Sequence, residues 1–201
     1  MITPGPQPTG VLLAGGKSSR MGTNKALLRF PNGQTVIERI VSRIRPLCSE
    51  VLLVTNTPAD YEFLGLPMFP DEIPGASSLG GIYTGVLHAS SPRVVVLSCD
   101  LPLVSSDLLA YLLALPFDYD LLMPFIGGRQ QPLHAIYART ALDAMRAQIG
   151  AGDLKIVRLL ETLRGRVVTE AELPPEWLAS FQNMNTPEDW EAVLALEDAQ
   201  R

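Results

Sequence analysis

Short apolar runs alternate with amphipathic stretches along the first half of the chain, up to about residue 115. Residues 34–45 place apolar side chains at helical spacing, and Pro46 cannot continue a helix, so one helix is predicted there. Each apolar run is short enough for a buried strand and is followed by residues typical of loops. The predicted strands of this half are residues 10–14, 51–54, 66–69 and 94–97. This alternation predicts an α/β fold in which a Rossmann-like, mostly parallel sheet carries helices on both faces, giving a three-layer α/β/α domain.

The second half of the chain is less regular but contains the same kinds of element. Its apolar segments are separated by polar clusters, and Gly127-Gly128 predicts a tight turn between two strands. The predicted strands are residues 121–123, 133–137 and 166–168, and the predicted helices are residues 140–149, 154–163 and a last one that begins at Asn185-Thr186-Pro187. No internal repeat or linker interrupts the pattern, so residues 1–201 are predicted to form a single domain, with residues 1–8 as a loose N-terminal tail.

Composition and charge narrow the class of protein. Of the 201 residues, 47% are hydrophobic, which suits one domain with a sizeable core. Sixteen Lys and Arg stand against 21 Asp and Glu, and the resulting net charge of -5 disfavours a broad nucleic-acid-binding face. The N-terminus lacks a basic segment followed by a long apolar one, and no later apolar run is long enough to span a bilayer. We therefore expect a cytoplasmic protein with neither a nucleic-acid nor a membrane partner.

The most informative segment is the loop that follows the first predicted strand, within VLLAGGKSSRMGTNKALL at residues 11–28. It combines glycines and hydroxyl groups with three cations, Lys17, Arg20 and Lys25. Glycines allow backbone N–H groups to approach phosphate oxygens, and Lys or Arg neutralises the charge that these dipoles only partly offset. The segment therefore indicates a phosphate-binding loop. A strand-to-helix turn with solvated cations is the alternative.

Two common phosphate-binding patterns do not describe this loop. Gly16-Lys17-Ser18 matches the end of a P-loop, but the first glycine of that pattern falls at Val11, inside the predicted strand. The dinucleotide pattern G-x-G-x-x-G is absent, because Gly15 and Gly16 are adjacent and the next glycine is Gly22. An NAD-dependent oxidoreductase is thereby disfavoured. A P-loop NTPase stays as a rival interpretation, and it requires Lys17 rather than Lys25.

The residues from Leu13 to Lys25 read L-A-G-G-x-S-x-R-M-G-x-x-K, and this stretch resembles the signature of nucleotidyltransferases. The chain is similar to the molybdenum cofactor guanylyltransferase (MobA) family of that superfamily, and two adjacent glycines favour its guanylyl branch. Segments 70–82, 94–104 and 181–189 extend the resemblance in the same order. It implies a fold of the nucleotide-diphospho-sugar transferase type. It also implies an enzyme that transfers GMP from GTP to the phosphate of molybdopterin, which forms the guanine dinucleotide cofactor and releases pyrophosphate.

The candidate catalytic residues are Arg20, Lys25 and Asp100. Attack of a phosphate oxygen on the α-phosphorus of a triphosphate brings anions together, so Lys25 and Arg20 suit the charge that accumulates, and Arg20 suits a multidentate grip on pyrophosphate. Asp100 ends an apolar predicted strand, where a carboxylate lies at the ligand-binding edge of a parallel sheet. A carboxylate is a ligand that Mg²⁺ prefers, and the resemblance assigns Asp100 the same role, so Mg²⁺ is the predicted cofactor.

The resemblance also implies the residues that bind GTP. It places Leu13, Ala14 and Gly15 against the nucleotide and Lys25 at its phosphates. It also assigns Asp100 to the metal and puts Asp71 near the ribose or the base. It further admits Asn183, or Asn185, as a second metal ligand. The GTP-binding residues implied in this way are Leu13, Ala14, Gly15, Gly16, Lys25, Asp71 and Asp100.

The acceptor side and the choice of base stay open at this point. Residues 127–134 offer an arginine, two amides and a histidine that suit a phosphate and a pterin edge, or they form an ordinary polar hairpin. Transfer of CMP to the same pterin, or of a nucleotide to a sugar phosphate, would use the same loop and metal. From another class, a nucleotide-binding regulatory module without turnover is the alternative. Because both the chain and the cofactor are acidic, a cofactor-delivery protein is an expected partner.

Overall fold

The structure, a computed structural model, describes residues 7–15 and 24–199 as one eight-stranded sheet with helices packed on both faces. The strands are β1 (Thr9–Leu13), β2 (Glu50–Val54), β3 (Met68–Phe69), β4 (Arg93–Ser98), β5 (Leu121–Ile126), β6 (Arg129–Gln130), β7 (His134–Ala138) and β8 (Gly165–Thr169). The helices are α1 (Val36–Ile44), α2 (Ser77–His88), α3 (Ser106–Ala114), α4 (Leu142–Gly150), α5 (Leu159–Thr162) and α6 (Pro187–Ala199). Within these residues, no helix is long and apolar enough to cross a membrane.

The first half of the chain forms the parallel part of the sheet. Strands β3, β2, β1 and β4 are neighbours in that order, and each adjacent pair is parallel. β7 then pairs antiparallel with both β4 and β5. β5 also pairs antiparallel with β6 and parallel with β8. The predicted mostly parallel sheet is confirmed, and its antiparallel part comes from the less regular second half of the sequence.

Alternation along β1 divides the apolar side chains between two cores. Val11 and Leu13 face the core that α2, α4 and α5 cover, whereas Leu12 and Ala14 face the core that α1, α3 and α6 cover. Successive side chains of a strand point to opposite faces, so a strand buried on both sides reads as a continuous apolar run. This is why the apolar runs of the sequence predict β1, β2 and β4 to within one residue at each end.

Helix α1 begins at a capping box formed by Thr35 and Glu38. The Thr35 hydroxyl accepts a hydrogen bond from the Glu38 N–H at 3.2 Å, and the Glu38 carboxylate accepts one from the Thr35 N–H at 2.7 Å. These bonds satisfy backbone donors that the first helical turn leaves free. The helix therefore starts at Val36, two residues after the predicted boundary, and it ends at Ile44 before Pro46.

Besides the bounds of β3, which begins at Met68, and of β5, which continues to Ile126, two predicted segments differ in kind from the structure. The helix predicted over residues 154–163 is reduced to α5, because the Asp153 carboxylate accepts from the Lys155 N–H at 3.1 Å and holds the start of the segment in a turn. At the N-terminus, the Ser49 N–H donates to the Pro8 carbonyl oxygen at 3.0 Å. Pro8 is therefore held beside β2. The prediction that the loose tail extends to residue 8 is wrong at this residue.

Gly85 sets how closely α2 approaches the sheet, and its replacement by alanine is expected to destabilise the protein by about 1–3 kcal/mol, the usual cost of overpacking. A Cβ atom at Gly85 would lie 2.3 Å from Cγ1 of Val11 in β1. Gly150, at the end of α4, has open space at the corresponding position, so Gly150→Ala is the matched control and should leave stability unchanged or slightly higher. Urea unfolding of both variants measures the difference. Equal unfolding midpoints would contradict this account of the packing.

Candidate active site

The carboxyl ends of the four parallel strands meet at one edge of the sheet, where backbone hydrogen bonds join the loops that follow them. The Ala14 N–H donates to the Val54 carbonyl oxygen at 2.9 Å, and the Cys99 N–H donates to the Leu13 carbonyl oxygen at 3.2 Å. In sheets of this type, ligands bind outside these carboxyl ends. The candidate residues that follow β1, β3 and β4 are therefore brought to one edge.

A cavity of about 340 Å³ lies at this edge on the side of the sheet that α2 covers, and we call it the α2 cavity. Its walls come from the end of β1, from the loops after β2 and β3, from the start of α2 and from the residue that precedes β7. The lining residues are Leu13, Gly15, Val54, Thr55, Asn56, Asp71, Gly75, Ser77, Ser78, Gly81, Ser98 and Leu133. Three of the residues implied for GTP binding, Leu13, Gly15 and Asp71, are thus brought together.

Asn56 and Asp71 form a reciprocal pair in the wall of the α2 cavity. The Asn56 side-chain amide donates to Oδ2 of Asp71 at 2.8 Å, and Oδ1 of Asn56 accepts from the Asp71 N–H at 3.0 Å. One hydrogen bond holds the Asp71 carboxylate and the other holds the Asp71 backbone, and Oδ1 of Asp71 lies beside Gly81. Asn56 is not among the residues that the sequence predicts for the site. The feature of the sequence that points to Asn56 is its position two residues after the end of β2, at the ligand-binding edge.

The backbone at the start of α2 is strained where it borders the cavity. Ser77 has a φ of +54°, and within residues 7–15 and 24–199 it is the one residue other than glycine with a positive φ. A left-handed conformation at a residue with a side chain costs on the order of 1 kcal/mol or more, and such strain clusters at functional sites. Ala76 at the N-cap has no side-chain oxygen to accept from the first helical N–H groups. The start of α2 thus lacks a side-chain cap at the point where Ser77 and Ser78 line the cavity.

Asp100 lies in the turn that follows β4, with one carboxylate oxygen buried and unpaired. Oδ1 has no hydrogen-bond partner within the described part of the chain, and the Asp100 carbonyl oxygen accepts from the Met184 N–H at 2.9 Å. A buried carboxylate oxygen without a partner is costly, so the position suits a bound cation. The carboxylate is a hard oxygen ligand of the kind that Mg²⁺ prefers. No group of three or more His, Cys, Asp or Glu residues that could hold a metal occurs among residues 7–15 and 24–199. Asp100 is therefore a candidate ligand that offers one carboxylate to a cation.

Lys25 is connected to the start of α6 rather than to the α2 cavity. Its Nζ donates to Oδ1 of Asn185 at 3.0 Å. The Asp189 carboxylate accepts from the N–H groups of Asn185 at 2.7 Å and Thr186 at 2.8 Å, which holds Asn185 in place. These backbone donors, aided by the Lys25 charge, keep the pKa of Asp189 below its usual range. The helix start predicted at residues 185–187 is confirmed, and Asp189 completes its cap.

The thiol of Cys99 lies in the electrostatic field of both Asp100 and Lys25. The pKa of Cys99 is raised to about 12, mainly by burial and also by the Asp100 charge, while the Lys25 charge acts to lower it. The two candidate catalytic groups therefore act on the same buried atom from the same edge of the sheet. The thiol itself stays protonated and is not a nucleophile at neutral pH.

A second cavity, of about 460 Å³, lies on the opposite side of the sheet, and we call it the C-terminal cavity. Its walls combine residues 129–134 with residues from the segment that leads into α6. The lining residues are Leu101, Arg129, Gln130, Gln131, Pro132, Leu133, His134, Phe181, Asn183, Asn185 and Asp189. Leu133 lines both cavities, so the two binding spaces are neighbours at the carboxyl edge of the sheet.

The remaining predicted residues are placed as follows. The Ala14 side chain packs in the core under α1, so it presents only its backbone to the edge. Asn183 is exposed in the C-terminal cavity, next to the residue that donates to the Asp100 carbonyl oxygen. Gly16 and Arg20 lie outside the described residues. Val11 is fully buried within β1, where no loop begins, so the P-loop interpretation is wrong.

A doubly covered, mostly parallel sheet with two adjacent cavities at its carboxyl edge, one of them next to an unpaired carboxylate and a lysine, suits an enzyme that acts on a nucleotide and a second substrate. Residues 10–167 match the family described as the MobA-like NTP transferase domain. The chain belongs to this family.

Relatives match nearly the whole chain. A protein of Carboxydothermus hydrogenoformans named "Probable molybdenum cofactor guanylyltransferase" is 36% identical over 190 residues, which are 94% of this chain and 95% of that protein. The crystal structure of molybdopterin-guanine dinucleotide biosynthesis protein A from Archaeoglobus fulgidus has a TM-score of 0.81 at 26% identity, and the match covers 95% of this chain and 99% of that one. Rv0371c of Mycobacterium tuberculosis, 18% identical with a TM-score of 0.67 over 94% of this chain and 98% of its own, shares the fold and was solved in complex with manganese.

Asn56→Ala is expected to raise the KM for GTP about tenfold while kcat changes little, because the loss of hydrogen bonds to a charged group frees the Asp71 carboxylate to rotate. Asn56→Asp should weaken GTP binding further, since it places two carboxylates side by side. Asn32→Ala, in the exposed turn before α1, is the matched control and should leave both constants unchanged. Steady-state kinetics with varied GTP measures the effect. An unaltered KM for GTP in Asn56→Ala would remove Asn56 from the site.

Proposed function

We propose that this chain transfers GMP from GTP to the phosphate of molybdopterin, forming the guanine dinucleotide cofactor and releasing pyrophosphate. The names of the relatives that match the chain end to end support this reaction. The observation that carries the proposal is the pair of cavities that share Leu133, since transfer between two large substrates requires two binding spaces that meet at the reacting atoms.

The α2 cavity is the proposed site of the guanosine part of GTP. Asp71, held by Asn56, offers an acceptor to the ribose hydroxyl groups or to the guanine N–H edge. Gly81 leaves space beside Leu13 for the flat purine, because a Cβ there would already lie 3.5 Å from the Leu13 side chain. The backbone of Ala14 and Gly15 then leads from the nucleoside toward the loop that carries Gly16, Arg20 and Lys25.

The phosphates of GTP are proposed to lie between Asp100 and Lys25. Asp100 is the proposed ligand of a divalent cation, and Mg²⁺ is the cation proposed; when bound, it would neutralise triphosphate charge and orient the α-phosphate. Asn183 is the proposed candidate for a second protein ligand. Lys25 stabilises the negative charge that develops during transfer, and Arg20 is proposed to hold the leaving pyrophosphate. The acceptor phosphate attacks directly, so no covalent intermediate with the protein is required.

The C-terminal cavity is the proposed site of molybdopterin. Asn185 lines it and also accepts from Lys25, so the end of the cavity near Asn185 suits the acceptor phosphate. Arg129 and the amides of Gln130 and Gln131 line the part formed by the β6 hairpin, which suits the anionic and heterocyclic groups of the acceptor.

Calorimetric binding of GTP, CTP, ATP and UTP, each with and without Mg²⁺, tests the donor half of the proposal without the unstable acceptor. We expect a clear preference for GTP and tighter binding with Mg²⁺. Preference for CTP would replace the guanylyl assignment by a cytidylyl one, and failure to bind any triphosphate would refute the donor site. Pyrophosphate release from GTP and molybdopterin then tests the transfer itself, with each substrate omitted in turn as the control.

A further inference from the structure

His134 is a buried polar residue in the wall of the C-terminal cavity. It begins β7, lies opposite Leu97 of β4, and is 1% exposed. Its ring packs against that of Phe181 with centroids 4.5 Å apart, on the side of the sheet away from α2. Both rings line the cavity. The histidine is therefore at the boundary between the core and the proposed acceptor site.

Both ring nitrogens of His134 are buried, and the Ser180 backbone is the one group of the described residues that acts on them as a hydrogen-bonding partner, so at least one ring nitrogen is left unpaired. Burial lowers the pKa of His134 to about 3, and the Ser180 backbone offsets only part of that change, so the ring is neutral at physiological pH. A neutral imidazole carries one donor and one acceptor, and a single backbone group satisfies at most one of them. A buried polar atom without a partner lowers stability, so its presence beside a cavity points to a ligand.

The other polar groups of the cavity indicate which part of a ligand lies near His134. A phosphate can interact with the positive charge of Lys25 near Asn185, because Lys25 donates a hydrogen bond to that asparagine. Gln131 is three residues before His134 and uses Nε2 to support the hairpin by donating to the Ile126 carbonyl oxygen at 3.4 Å, which leaves its Oε1 available. An uncharged donor and acceptor set next to the apolar side chains of Leu101 and Phe181 suits a planar heterocycle rather than an anion.

We propose that His134 is a specificity-determining residue of the acceptor site, where its neutral imidazole hydrogen-bonds to the pterin ring of molybdopterin. This inference rests on the proposed function. Pterin has a row of ring nitrogens, an amino group and a carbonyl oxygen, which match one imidazole donor and one acceptor. His134 and Phe181 both line the cavity, so the pterin lies against this part of its wall. The phosphate end of the same molecule then extends toward Asn185 and Lys25.

Steady-state kinetics of two variants tests the proposal. His134→Phe keeps a buried aromatic ring but removes both hydrogen-bonding atoms, and we expect the KM for molybdopterin to rise about 10- to 100-fold. kcat at saturating acceptor, calorimetric GTP affinity and the urea unfolding midpoint should each stay near the values of the unaltered protein. His134→Gln restores a donor and an acceptor on a chain of similar reach, so it should recover most of the lost acceptor affinity.

A second measurement uses the unaltered protein. The ring ¹⁵N resonances of His134 should shift when molybdopterin is added in the presence of GTP and EDTA, and they should not shift with GTP alone. The proposal would be overturned if the KM for molybdopterin were unchanged in His134→Phe, or if the ring resonances did not shift when molybdopterin was added. Either result would assign the imidazole to the core. A parallel loss of GTP affinity and stability would do the same. Absence of pyrophosphate release by the unaltered protein would instead refute the proposed function.

Discussion

Asp100→Asn is expected to lower the rate of pyrophosphate release on the order of 10³-fold, while the folded structure and the affinity for GTP without Mg²⁺ are retained. A divalent cation supplies several kcal/mol of charge stabilisation, and each 1.36 kcal/mol of barrier is a factor of ten in rate. Asparagine has the same shape but lacks the charge that attracts the cation. Its amide also occupies the position of Oδ1, the buried atom for which the described residues provide no hydrogen-bond partner.

Asp107→Asn is the matched control, because Asp107 lies exposed in the first turn of α3 and should tolerate the same change of charge. The two variants are compared by pyrophosphate release at saturating GTP and by calorimetry with and without Mg²⁺. In the control, Mg²⁺ should still strengthen GTP binding; in Asp100→Asn, this gain should be lost. Near-normal turnover in Asp100→Asn would refute the assignment of Asp100 as the metal ligand.

Lys25→Ala is expected to reduce turnover by about 10²- to 10³-fold, the usual cost of losing one preorganised charge that stabilises the transition state. The effect should fall mainly on kcat, because the negative charge that Lys25 faces grows as the acceptor oxygen and the α-phosphorus approach each other. Asn185→Ala keeps the Lys25 charge and removes the 3.0 Å hydrogen bond that positions Nζ, so a smaller loss is expected. The order of the two effects distinguishes the charge itself from its positioning.

Lys155→Ala is the control for Lys25→Ala, since Lys155 is an exposed lysine in the segment before α5. It should leave pyrophosphate release unchanged. Circular dichroism and urea unfolding check that each variant is folded. Full activity of Lys25→Ala would exclude a role in transfer, and a larger loss in Asn185→Ala than in Lys25→Ala would show that the asparagine acts by a route other than the lysine.

The sequence determined the class of fold and the order of its parts. Strands buried on both faces must be apolar throughout, so β1, β2 and β4 were visible as short apolar runs. Residues that follow such strands in a parallel sheet must lie at one edge, so Asp71 and Asp100 were correctly expected there. The signature from Leu13 to Lys25 and the three ordered segments after it were sufficient to indicate the family, because four motifs in order are specific.

Only the tertiary structure decided which of these residues are partners. Asn56 and Asp71 are 15 residues apart and Lys25 and Asn185 are 160 apart, and neither pair follows from local periodicity, since side-chain contacts between separate loops depend on how the strands are packed. The division into two cavities on opposite faces of the sheet depends on which way Leu133 and His134 point in adjacent positions of the chain. For the same reason, the sequence could not predict that a ring nitrogen of His134 lacks a hydrogen-bond partner. Whether a polar atom has a partner depends on its surroundings in the folded protein rather than on the type of residue.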